Sequence, residues 1–269
     1  MPETTHDDVT ISFSDQGTGP PALLVHGHTL DRRVFDPVIP ALLGAGSRVI
    51  RPDLRGHGRS SRPDSGYHVS HHAEDMAAVL DAVGLDRAAV IGFSFGGAVA
   101  LELAVTRPEL ITGLGLIASV MPDRPFEPTF MDSLREVARV VRADGVPAAM
   151  AGPWDRCPLF EHSFTKPGVR AAVAAMVKDF PGAEFLATER DRVDRDWSLP
   201  DRLGEIAVPT RIMVGEREMP GFRGYSDEAA EKIPGASLEI VPDGGHILPL
   251  EEPGSVAAMV VDLLLPETR

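Results

Sequence analysis

A single cysteine, Cys157, serves 269 residues, so the chain cannot close an internal disulfide, and no Cys/His spacing of a structural zinc site accompanies it. Lysine is nearly as scarce, confined to Lys166, Lys178 and Lys232. With 26 Lys+Arg against 40 Asp+Glu the net charge is −14, which repels phosphate backbones and anionic membrane surfaces and argues against nucleic acid as a partner. No apolar run reaches the roughly 18 residues of a membrane span. The segment from Met1 to Asp8 has neither the basic start nor the apolar centre of a secretory signal, so a cytoplasmic protein free of membrane is expected. What remains is ordinary globular material, 43% hydrophobic and 25% charged, long enough to bury a sizeable core.

Val9, Ile11 and Phe13 alternate with polar residues ahead of the turn Gly17-Thr18-Gly19-Pro20, the pattern of an exposed antiparallel edge strand. The later strands read differently. Ala22 to Val25, Val49 to Ile50, Ala88 to Ile91, Leu114 to Ile117, Ile212 to Val214 and Leu238 to Val241 are short apolar runs, as expected of parallel strands buried on both faces. Between them Met76, Val79, Leu80 and Val83, and later Val256, Met259, Val260 and Leu263, fall on one helical face each. Such alternation predicts an α/β fold with a doubly wound sheet. From Met121 to about Pro200 the strand pattern lapses, and helical spacing takes over at Leu134, Val137, Ala138, Val141 and at Val169, Val173, Met176, Phe180. The domain reading is therefore a core of residues 1–120 and 201–269 with an inserted helical cap, 121–200, over the carboxyl edge of the sheet.

Gly92-Phe93-Ser94-Phe95-Gly96 stands between the strand Ala88 to Ile91 and the helical run Ala98 to Val105. A serine hydroxyl is a poor nucleophile unless a backbone presents it, a base takes its proton and donors hold the developing oxyanion. A sharp strand-to-helix turn provides the presentation, and Gly92 and Gly96 leave room for it. Late in the chain, Pro242-Asp243-Gly244-Gly245-His246 follows the last strand, which makes His246 the candidate general base. The amides of Phe95, next to the serine, and of His28, in the loop His26-Gly27-His28, are the candidate oxyanion donors. His26 and His28 are also spaced as a metal pair, but no acidic or further histidine ligand stands near, so no metal is assigned.

Taken together, His26-Gly27, the stretch Asp53-Leu54-Arg55-Gly56-His57-Gly58-Arg59-Ser60, Gly-Phe-Ser-Phe-Gly-Gly at 92–97 and Gly244-Gly245-His246 resemble the α/β-hydrolase superfamily over essentially the whole chain. The resemblance implies a mostly parallel eight-stranded sheet, and it makes Asp53, Arg55 and His57 scaffold. It also implies the order serine, acid, histidine, with the acid a few residues beyond Ile212 to Val214. That places it in Gly215-Glu216-Arg217-Glu218-Met219-Pro220, where many relatives carry Asp at the position of Glu218. Glu218 is the chosen acid. Asp123, beyond Leu114 to Ile117, and Glu216 are its competitors.

Trp154 and Phe160 in Trp154-Asp155-Arg156-Cys157-Pro158-Leu159-Phe160 are the candidate substrate contacts, with plain packing as the alternative role. That segment is similar to one in the caps of enol-lactone hydrolases and related small esterases. The expected activity is hydrolysis of a small-molecule carboxylic ester or lactone through an acyl-enzyme on Ser94, with no cofactor, by a monomer or homodimer. Carbon–carbon bond hydrolysis or cofactor-free perhydrolysis would use the same residues, and a non-hydrolytic ligand binder or cyclase could share the fold.

Overall fold

Asp7 and Asp8 take positive φ, 46° and 63°, the pair of left-handed residues that a tight hairpin turn requires. They join β1 (Glu3–His6) to β2 (Val9–Gln16), with His6 opposite Val9. The computed structural model describes residues 1–187 and 195–265. In it β2 is antiparallel, as its alternation predicts, but it is not the edge: β1 covers it, and Ile11, Ser12 and Phe13 are all buried. The two-residue Asp-Asp turn is the sequence signal for that extra strand.

Six strands follow: β3 (Pro21–Val25), β4 (Arg48–Pro52), β5 (Ala88–Phe93), β6 (Ile111–Ile117), β7 (Thr210–Gly215) and β8 (Ser237–Val241). Across the sheet they run β1-β2-β4-β3-β5-β6-β7-β8, with β2 antiparallel to both neighbours and every other pair parallel. From β3 the chain steps outward to β4, crosses back to β5 and then proceeds the other way. The order therefore reverses between β3 and β5, and the carboxyl ends of such a pair open the crevice in which α/β sheets bind ligands. β5 is buried along its whole length, in keeping with its unbroken apolar run.

Helices cover both faces. Val69–Ala82 packs against Phe95–Thr106, which lies on β3, β5 and β6, while Ile39–Gly44 packs with Pro253–Leu264, which lies on β3, β5, β6 and β7. Gly96 to Val105 are all buried, so this helix carries apolar residues on every side because it is enclosed rather than amphipathic, Glu102 being the one charged residue in that run. A long helical insertion joins β6 to β7. Pro128–Asp144 buries Phe130, Val137, Val140 and Val141, and Val169–Val177 buries Val169, Val173 and Met176. Phe180, expected on the same face, lies past the end of that helix. Arg195 bridges the buried Glu102 and Asp123, pinning the insertion to the helix behind Ser94. Residues 188–194 of the segment 121–200 lie outside the described residues, as do 266–269 at the end of the core. Among the described residues no helix is long and apolar enough to cross a membrane.

The stretch 53–60 acts as a clamp on the β3 side. Asp53 accepts from the Arg32 and Arg59 amides at 3.1 and 3.0 Å, and Arg55 grips Asp75 with two 2.7 Å contacts, both side chains being almost fully buried. Breaking such a pair from one side strands a buried charge. Arg55→Ala is expected to lose about 3–5 kcal/mol of stability, read as a lowered urea midpoint; a loss below about 1 kcal/mol, the range of an exposed ion pair, would contradict the clamp.

Candidate active site

Ser94 follows β5 directly and precedes the helix Phe95–Thr106, and its backbone sits at φ 53°, ψ −118°. A non-glycine residue in that region carries about 1–3 kcal/mol of strain. Backbone hydrogen bonds hold it there: the Ser94 amide donates to Ile117 at 2.9 Å, and its carbonyl accepts from Gly97 and Val120 at 2.9 and 3.1 Å. The turn is too tight for side chains on either flank. A Cβ at Gly92 would lie 2.1 Å from the Gly96 carbonyl oxygen, and one at Gly96 would lie 2.1 Å from that of Val25.

His246 reaches the serine from the loop after β8. Its Nε2 is 3.0 Å from Ser94 Oγ and its Nδ1 is 2.7 Å from Glu218 Oε2. A carboxylate only accepts, so Nδ1 carries the proton and Nε2 is free to accept from the serine hydroxyl. Both side chains are buried, His246 to 2% exposure and Glu218 to 1%; the other Glu218 oxygen accepts from the Met219 amide at 2.9 Å. The histidine loop is itself tied down. Ser163, fully buried in the insertion, accepts from the His246 and Ile247 amides, and Glu251 accepts from those of Gly245 and Ile247. Sequence reading missed both anchors, because neither stands at a motif spacing.

The competing acids are engaged elsewhere. Asp123 accepts from Arg195 and the Leu199 amide, and Glu216 is exposed and accepts from the Asp243 amide. Glu218 is the carboxylate brought to His246.

Opposite the serine, β3 ends in His26-Gly27-His28. A Cβ on Gly27 would stand 3.1 Å from Ser94 Cβ, so glycine allows the two chain segments to meet. Among the described residues neither the Phe95 nor the His28 amide is used by another group. The Phe95 amide opens a helix, where N–H groups lack intrahelical acceptors and the dipole is positive. His26 and His57 are scaffold: His26 accepts from the Leu54 amide, His57 from that of Thr29, and each donates its other ring N–H to a carbonyl. Both ring nitrogens of His26 are thereby occupied, which leaves the His26/His28 pair without a metal-ligand role. Among the described residues no cluster of three His, Cys, Asp or Glu side chains is arranged to hold a metal ion.

The crevice above Ser94 has a volume of about 410 Å³. Trp154 and Phe160 both line it, their ring centres 4.5 Å apart, and Phe160 lies 6.1 Å from His246. Phe126, Phe130 and Phe222 complete an aromatic wall that sequence reading did not single out, with Phe222 5.0 Å from His246.

Beneath Phe95 lies His72, fully buried, its ring 5.0 Å from that of Phe95, and among the described residues neither of its nitrogens has a hydrogen-bond partner. Burial, and next the Arg55 guanidinium, push it well below the ordinary imidazole value of 6.5; burial, with His26 and His28, does the same to His57.

The family model described as alpha/beta hydrolase fold matches residues 20–253. The chain is 30% identical to 2-hydroxymuconate semialdehyde hydrolase of Pseudomonas putida, over 94% of this chain and 90% of that protein. Among solved structures it is similar to a thermophilic esterase from Thermogutta terrifontis, at 28% identity and TM-score 0.80, covering 97% of this chain and 96% of that one. It is also similar to Est816, an N-acyl homoserine lactone degrading enzyme, at 28% identity and TM-score 0.78, over 96% and 98% of the two chains.

Two depressed imidazoles have a consequence for stability. As pH falls below 6.5 the unfolded chain binds protons that folded His57 and His72 refuse. Their contribution is therefore fully present above that pH and is lost as pH drops toward the folded values. His72→Leu should leave stability at pH 7 unchanged or raise it by about 1 kcal/mol, since it removes unpaired buried nitrogens. It should also flatten the acid limb by up to about 1.4 kcal/mol per pH unit. Urea midpoints from pH 8 to 5 test both; an unchanged acid slope would refute the assignment.

Proposed function

This chain belongs to the alpha/beta hydrolase family, and we propose that it is a serine hydrolase cleaving a small carboxylic ester or lactone through an acyl-enzyme on Ser94. The observation that carries the proposal is the continuous line from Ser94 Oγ through the His246 ring to Glu218, 3.0 and 2.7 Å. His246 takes the serine proton as Oγ attacks the carbonyl carbon, and Glu218 holds the Nδ1 tautomer and stabilises the imidazolium that forms. The amides of Phe95 and His28 receive the oxyanion. His246 then returns its proton to the departing alcohol, and water, deprotonated by the same ring, attacks the acyl carbon to release acid and restore Ser94. Segment 121–200 acts as the cap, with Trp154 and Phe160 as substrate contacts on the aromatic wall.

Carbon–carbon bond hydrolysis is a second reading, supported by the similarity to the Pseudomonas putida hydrolase; it would use the same Ser94 and His246. A screen of short-chain p-nitrophenyl esters, lactones and vinylogous diketones separates the two. Fluorophosphonate labelling is expected in the wild type and absent in Ser94→Ala; no labelling of the folded wild type would favour a non-hydrolytic binder. Glu218→Ala should lower kcat by about 10⁴-fold, as loss of the orienting acid does in such triads. Asp123→Ala should lower it less than tenfold by comparison, and the reverse ranking would move the acid to Asp123.

A further inference from the structure

His246 is held at three points: Ser94 meets its Nε2, Glu218 meets its Nδ1, and the hydroxyl oxygen of Ser163 accepts from its backbone amide at 2.9 Å. The third partner comes from the insertion, where Ser163 opens the short turn Ser163–Thr165. Ser163 is fully buried, and the described residues that line the crevice do not include it. The two segments meet closely because glycine stands before the histidine: a Cβ on Gly245 would lie 2.7 Å from Ser163 Oγ. Two further contacts fasten the outer end of the loop, where His162 Nε2 donates to the Asp243 carbonyl at 3.0 Å and Lys166 Nζ reaches Asp243 Oδ2 at 2.6 Å. The Lys166–Asp243 pair faces solvent and contributes little. The inner contact is different. The Ile247 amide has Glu251 at 2.7 Å besides Ser163 at 3.2 Å, whereas among the described residues the His246 amide has Ser163 alone.

We propose that Ser163 is a positioning residue for the reaction at Ser94: by holding the His246 backbone it fixes where the imidazole meets the serine, so the insertion sets the reactivity of Ser94 from outside the crevice. The inference rests on the serine-hydrolase reading above. The reason is geometric. Proton transfer needs Nε2 within hydrogen-bond reach of Oγ, the present separation is 3.0 Å, and a misplacement of about 1 Å costs about 100-fold in rate. Removing the Ser163 hydroxyl leaves the His246 amide buried without an acceptor, and an unmet buried donor favours any loop conformation that turns it toward another. The ring turns with it.

The test follows p-nitrophenyl butyrate hydrolysis and the time course of fluorophosphonate labelling. The labelling amplitude counts folded sites, and its rate constant reports how well His246 activates Ser94. Ser163→Ala should lower kcat and the labelling rate constant together, by about 10- to 100-fold. KM should stay within about threefold, because the crevice wall is untouched, and the amplitude should stay full. Ser163→Cys keeps the shape of the side chain but offers only a weak sulfur acceptor. It should fall between wild type and Ser163→Ala, and it carries the test if the alanine variant does not fold. A labelling rate constant within about twofold of wild type in either folded variant overturns the role of Ser163. A loss confined to amplitude or thermal midpoint in both variants overturns it too, since plain packing would give that result. A wild type that neither hydrolyses the butyrate nor takes up the probe overturns the hydrolase reading and this inference with it.

Discussion

The backbone of Ser94, held at φ 53° between a buried strand and a buried helix, is the constraint on which the rest of the site depends. It lifts Oγ out of the sheet toward His246, and it opens a helix at Phe95 whose first amide has no acceptor of its own. The strain persists because the surroundings over-determine it. Ile117, Gly97 and Val120 hold both peptide groups of the serine, and the flanking glycines let backbone approach backbone. The turn also lies beside the end of β3, at the point where strand order reverses, so a crevice opens directly above it.

That crevice is positioned from two sides. On one, the loop His26-Gly27-His28 is fixed by the segment 53–60: Leu54 donates to His26, His57 accepts from Thr29, and Asp53 accepts from Arg32. The segment 53–60, expected to be scaffold, is thus the support of the loop that faces the serine. The low affinity of buried His57 for protons suits this role, since a charged ring would surrender its acceptor nitrogen. On the other side, Ser163 of the insertion and Glu251 share the amides of the His246 loop. The insertion therefore lines the crevice and also helps hold the proposed base.

The rings that line the crevice are gathered from separate parts of the chain. The aromatic wall gathers Phe126 and Phe130 from the start of the insertion, Trp154 and Phe160 from its middle and Phe222 from the helix Pro220–Lys232, three stretches far apart in the chain. No single segment displays the wall as a pattern.

Sequence alone determined the sheet-and-helix alternation, the lapse of strands after Met121 and the identities of Ser94 and His246 as a serine at a strand-to-helix turn and a histidine after the last strand. These are local properties: apolar run length, helical spacing and glycines at a sharp turn act within a few residues of one another. The strand β1, signalled by Asp7-Asp8, was equally local and went unread. Tertiary structure alone decided which carboxylate meets His246. Glu216, Glu218 and Asp123 are chemically near-equivalent in sequence, and they differ only in what folding places against them: the Asp243 amide, the His246 ring, and Arg195 with the Leu199 amide. The same holds for Ser163, whose partners, the His246 and Ile247 amides, come from a distant part of the chain. A hydrogen bond is made only within about 3 Å, and a linear sequence records no such distance between residues brought together by folding.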